Sequence, residues 1–90
     1  MNAERRKQIE KLSERISDFI GKIEDLKSEV EQIRDEEQEY YDNMPESFQG
    51  GEKGDDAQAA IDALESAIDN LDTVVSEIES CTSSLEEATA

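Results

Sequence analysis

Ninety residues allow one small domain, and 25 Asp and Glu against 9 Lys and Arg leave a net charge of −16. That charge excludes direct binding to nucleic acid or to an anionic membrane, so the expected complement is a basic surface. Only eighteen of the 90 residues are Ile, Leu, Val or Phe, a share close to that of disordered chains, so the spacing of those residues has to decide whether the chain folds.

A chain this short cannot build a deep core and needs long paired helices, a metal, disulfides or self-association. There is no His and one Cys, which argues against a metal site and excludes an internal disulfide. A single unpaired Cys and a start without an apolar leader point to a reducing, cytoplasmic setting. No window approaches the length and apolarity of a membrane span.

The first segment is patterned in heptads. Ile9, Leu12, Ile16, Phe19, Ile23, Leu26, Val30 and Ile33 alternate at spacings of three and four. The positions between them are Glu, Lys, Arg and Gln, which are good helix formers. Asn2 suits an N-cap, and Glu4 suits the positive end of the helix dipole. One helix is predicted over residues 3–42. Gly21 falls on its outward side, and Glu37 interrupts the stripe.

A loop is predicted over 43–54. Asn43 suits a left-handed C-terminal residue, Pro45 removes a donor and pushes Met44 out of helical space, and Gly50, Gly51 and Gly54 extend the break. Phe48 is expected against the helix ends. Tyr40 and Tyr41 either cap that end or form an aromatic anchor for a partner.

The second helix is predicted over 55–88, with Asp55 and Gln58 at capping-box spacing. Ile61, Leu64, Ile68, Leu71, Val75, Ile78 and Leu85 carry its stripe, with Thr82 in one inward position. Ala60, Ala67, Val74 and Cys81 form a neighbouring stripe, which makes the apolar face wider than one partner helix requires.

These features predict an all-α chain, an antiparallel helical hairpin of coiled-coil type in one domain, 1–90. Setting Ile33 beside Ile61 places Leu26 by Ile68, Phe19 by Val75 and Ile9 by Leu85, and only Leu12 meets a polar partner, Thr82. Sliding by one heptad brings Glu37 onto Leu64, a buried charge. Basic edge residues Arg6, Lys27 and Arg34 are expected beside Glu65, Asp72, Glu79 and Glu86. Residues 1–42 carry 8 basic and 13 acidic groups, and residues 43–90 carry 1 and 12. A lone hairpin is marginal against backbone ordering of about 1–2 kcal/mol per residue. A homodimer forming a four-helix bundle, or a face for a partner helix, is therefore expected, through Phe19, Ile20, Ala60, Ala67, Val74 and Cys81.

No catalytic constellation is legible. The usual neutral-pH base is absent, and the many carboxylates lie on solvated faces. The loop GGEKGDD fails the P-loop spacing, and the acidic residues fail the EF-hand pattern. No metal and no cofactor is expected. Cys81 reads as a small buried residue rather than a reactive thiol.

One acidic stripe stands out: Asp55, Asp62, Glu65, Asp69, Asp72, Glu79 and Glu86 share one side of the second helix. Where they alternate at three and four they are about 5 Å apart. One strand of B-DNA presents a charge per about 3.4 Å. Two functions follow. The stripe is a nucleic-acid mimic that occupies a basic, nucleic-acid-binding protein, or the charge only solubilises a scaffolding coiled coil that acts by self-association.

The segments RRKQIEKL, EEQEYYDNMPES and AIDALESAID resemble small acidic coiled-coil proteins of Gram-positive bacteria, their phages and mobile elements. The run YYDNMPES at 40–47 carries most of the resemblance, which spans most of the chain. It brings no activity and no site residue with it. Since small acidic phage proteins include inhibitors of host defence, such as anti-CRISPR proteins, it implies an inhibitory role by analogy, in the host cytosol if the chain is phage-encoded.

Overall fold

A computed structural model describes residues 1–90. The protein is all-α and has three helices: α1 (Ala3–Asp42), α2 (Glu46–Gln49) and α3 (Glu52–Thr89). The first turn of α1 is capped by Asn2, whose Oδ1 accepts from the Arg5 N–H at 2.8 Å. The helix ends where the Asn43 and Met44 N–H groups turn back to Glu39 O and Tyr41 O, at 3.0 and 3.1 Å. Asn43 is not left-handed, because no residue in the chain has a positive φ. Pro45, at φ −56° and ψ 147°, supplies the break.

The expected loop over 43–54 is replaced in part by helix. Pro45 both stops α1 and starts α2, its carbonyl accepting from Phe48 and Gln49 at 2.9 and 3.1 Å. A proline at a helix entrance loses no hydrogen bond. α3 then begins at Glu52 rather than Asp55, and the Asp55 N–H donates to Gly51 O at 3.0 Å within the first turn.

The chain divides into two compact units, each drawing on both long helices. In the first unit, residues 1–25 and 71–90, the side chains that lose solvent are Ile9, Ser13, Ile16, Ile20 and Ile23 from α1 and Leu71, Val75, Ile78, Thr82, Leu85 and Thr89 from α3. Thr82 tolerates this position because its hydroxyl donates to Ile78 O at 3.4 Å. In the second unit, residues 26–70, they are Lys27, Val30, Arg34, Glu37 and Tyr41 from α1 and Ala57, Ala60, Ile61, Leu64, Ala67 and Ile68 from α3, with Glu31 and Gln38 beside them. Ile61, only 1% exposed, is the most buried large side chain.

This corrects the expected pairing. On α1 the inward residues are Ser13, Ile20, Lys27, Arg34 and Tyr41, each one position beyond Leu12, Phe19, Leu26, Ile33 and Tyr40. α1 carries apolar or long side chains on both sides of its Ile9–Ile16–Ile23–Val30 column, and α3 covers one side only. Lys27 and Arg34 are half-buried there, which suits side chains whose long aliphatic stems can cover apolar surface. Arg34 pairs with Asp35 of its own helix, at 2.9 Å, rather than with the expected acidic edge of α3. No buried side-chain polar atom lacks a hydrogen bond.

Candidate functional site

Two surfaces result from this packing, one acidic and one apolar. All seven stripe carboxylates, Asp55, Asp62, Glu65, Asp69, Asp72, Glu79 and Glu86, are exposed. Their spacing on an unbroken α3 places them along one side. Asp62 accepts from Gln58 Nε2 at 3.1 Å, a contact one turn away on the same helix. In the first unit α1 adds to this acidic surface. Glu10 and Glu14 share a shallow hollow with Glu86 of α3, floored by Ile9, Ser13 and Thr89. Sequence spacing alone did not show that α1 carboxylates converge on the α3 stripe. No group of His, Cys, Asp or Glu is arranged to hold a metal ion.

The apolar surface is the side of α1 that α3 leaves uncovered. In the first unit Leu12 and Phe19 are 43% and 55% exposed. In the second unit Leu26, Ile33 and Tyr40 are 54%, 53% and 53% exposed. Leu12 and Phe19 border a recess with Arg15 and Ile16. Of the residues expected to mediate self-association, Phe19, Val74 and Cys81 are exposed and Ala60 and Ala67 half-buried. Ile20 is half-buried as well, on the side of α1 that carries Ser13 and Lys27. Cys81 is an exposed free thiol, not the buried residue its apolar stripe suggested.

The two tyrosines separate. Tyr40 is exposed and lines a hollow of about 360 Å³ with Asn43, Met44, Pro45, Phe48 and Lys53. Tyr41 is half-buried, and its carbonyl accepts from Gln49 Nε2 at 3.0 Å, which ties α2 to the end of α1. Phe48 is not tucked away: it is half-exposed, with Lys53 Nζ 5.4 Å from its ring centre. This hollow is apolar with a single cation at its edge, and it contains no pair of groups placed for acid–base or nucleophilic chemistry.

No helix is long and apolar enough to cross a membrane. No family model, curated protein or solved structure matches the chain.

Proposed function

We propose that this chain is a non-catalytic, acidic protein-binding module: a helical hairpin that presents the carboxylates of α3 to a basic surface of the kind that binds nucleic acid, and whose hairpins associate into a four-helix bundle. The observation that carries the reading is the exposure of all seven stripe carboxylates, joined in the first unit by Glu10 and Glu14. A helix holds charge at fixed spacing at little entropic cost, so a row of carboxylates on helices is a rigid polyanion. Such a surface competes with phosphates for Lys and Arg side chains.

The test is displacement of labelled duplex DNA from a panel of basic nucleic-acid-binding proteins at low and moderate salt. The chain is expected to displace DNA from at least one of them, with affinity falling steeply as salt rises. Neutralising Asp62, Glu65, Asp69 and Asp72 to Asn or Gln is expected to abolish displacement while helix content is retained. Failure to displace DNA from any member of the panel overturns the reading.

The open apolar column favours a second reading, in which the chain is a scaffolding coiled coil and its charge maintains solubility. The neutralised variant separates the two: a scaffold keeps its assembly and its function, and a mimic keeps the assembly alone.

A further inference from the structure

We propose that the open column of α1 is covered by the same column of a second copy, running antiparallel, with Leu26 of the two copies meeting at the two-fold axis. This rests on the reading of the chain as a self-associating hairpin, and it specifies the surface, the direction and the residue at the axis.

The column consists of large residues every seven positions, Leu12, Phe19, Leu26, Ile33 and Tyr40, each about half-exposed. A seven-residue repeat on a helix is the signature of a stripe that another helix covers along its length. The neighbouring surface extends it. Each column residue precedes an inward residue of α1 by one, and Ala60, Ala67, Val74 and Cys81 precede Ile61, Ile68, Val75 and Thr82 of α3 in the same way. In antiparallel helices, positions related like this flank the same side of the seam. The column therefore continues into small residues that permit close approach, and the acidic flank marked by Glu10, Glu14 and Glu86 lies on the other side.

Charge identifies the occupant and its direction. Three residues beyond each column position, on the exposed rim, stand Arg15, Lys22, Glu29 and Glu36. The rim changes sign at Leu26: it is basic in the first unit and acidic in the second. Two copies placed antiparallel about Leu26 bring Arg15 to Glu36 of the second copy and Lys22 to its Glu29. A parallel pair would stack each of these charges on its own kind. The same two-fold matches Phe19 with Ile33 of the second copy, and Leu12 with its Tyr40. The first unit of one copy thus docks on the second unit of the other, where the recess beside Leu12, Arg15, Ile16 and Phe19 receives it. An isologous contact of this kind closes with two chains.

Sedimentation of the full chain should give about twice its 10.1 kDa mass. In a Cys81→Ser background, Leu26→Cys is expected to oxidise to a covalent dimer, because two residues at an axis fall within disulfide reach. Leu26 is half-exposed within one chain, so the substitution leaves the fold of each copy intact. Ile33→Cys is expected not to cross-link with itself but to do so when mixed with Phe19→Cys chains. Lys22→Glu should weaken the dimer several-fold, and Glu29→Lys in the same chain should restore it.

A helical chain that stays at monomer mass, a dimer in which Leu26→Cys does not cross-link, self-cross-linking of Ile33→Cys, or failure of the charge swap to restore association overturns the inference. The two readings fail separately. A monomer that still displaces DNA from basic proteins overturns this inference and the self-association it rests on and leaves the acidic-module reading standing, and a Leu26-linked dimer that displaces none overturns only the acidic-module reading.

Discussion

Gly54 of α3 lies against the backbone of Gln49, so that a Cβ at position 54 would stand 2.7 Å from the Gln49 Cα. No glycine here has a positive φ, so the constraint at Gly54 is space and not backbone conformation. Gly54 is buried at the point where α2 meets the start of α3. Gly54→Ala must push the two helices apart, at a cost of about 1–3 kcal/mol by the usual penalty for overpacking. Thermal unfolding should show a clear drop in Tm. Gly50→Ala is the control: its Cβ would find Glu46 O at an ordinary 3.8 Å, and Tm should scarcely move.

Gly21 is the opposite case. It sits mid-way along α1, exposed, and a Cβ added there would meet nothing within 4 Å. Gly21→Ala removes backbone freedom from the unfolded chain and fills no occupied space. It should stabilise the protein by about 1 kcal/mol, read from urea unfolding. A loss of stability would mean that position 21 is covered in the folded protein.

The helical character of the chain was legible from heptad spacing, and the cap at Asn2 from residue type alone. The side of α1 that meets α3 was not. Counting apolar residues favours Leu12, Phe19, Leu26 and Ile33 as inward, yet the structure turns Ser13, Ile20, Lys27 and Arg34 in. A hydropathy pattern scores Lys and Arg by their charged ends and misses the stems that pack. The start of α3 was also misplaced, because Gly54 reads as a breaker, whereas the structure uses it for close approach to Gln49. The exposure of Asp55, Asp62 and Glu65 followed from their spacing, but the convergence of Glu10 and Glu14 with Glu86 depends on how two distant segments pack, which no local pattern encodes.

Asn2 supplies the side-chain acceptor for the Arg5 N–H at the entrance of α1. Asn2→Ala should cost about 1 kcal/mol of helix stability at that end. Hydrogen exchange of the first-turn amides should quicken, while amides near Ile61 should be unaffected. Replacement by Asp or Ser should restore protection, since either places an oxygen where Asn2 Oδ1 sits.

Salt should stabilise the fold. With 25 acidic and 9 basic residues, repulsion outweighs attraction among the exposed charges, most visibly where Glu10, Glu14 and Glu86 share one hollow. Raising ionic strength from about 0.01 M to about 0.15 M shortens the screening length from about 30 Å to about 8 Å. Tm should rise over that interval. A falling Tm would mean that the attractions of the 9 basic residues dominate the electrostatics of the folded state.

Ile61 and Ile33 separate the packing within one chain from the packing between chains. Ile61 is 1% exposed and Ile33 53% exposed. Truncating a buried Ile to Ala costs about 2–5 kcal/mol, so Ile61→Ala should show that loss at every protein concentration. Ile33→Ala removes atoms that are half in water when the chain is alone, and in dilute solution its cost should be much smaller. At concentrations where two copies pair across the α1 column, the cost should grow, because association stabilises the wild-type fold by mass action and the variant loses that contribution. Urea unfolding of both variants at two widely separated concentrations reads the difference. An Ile33→Ala cost that does not change with concentration would place Ile33 outside any contact between copies.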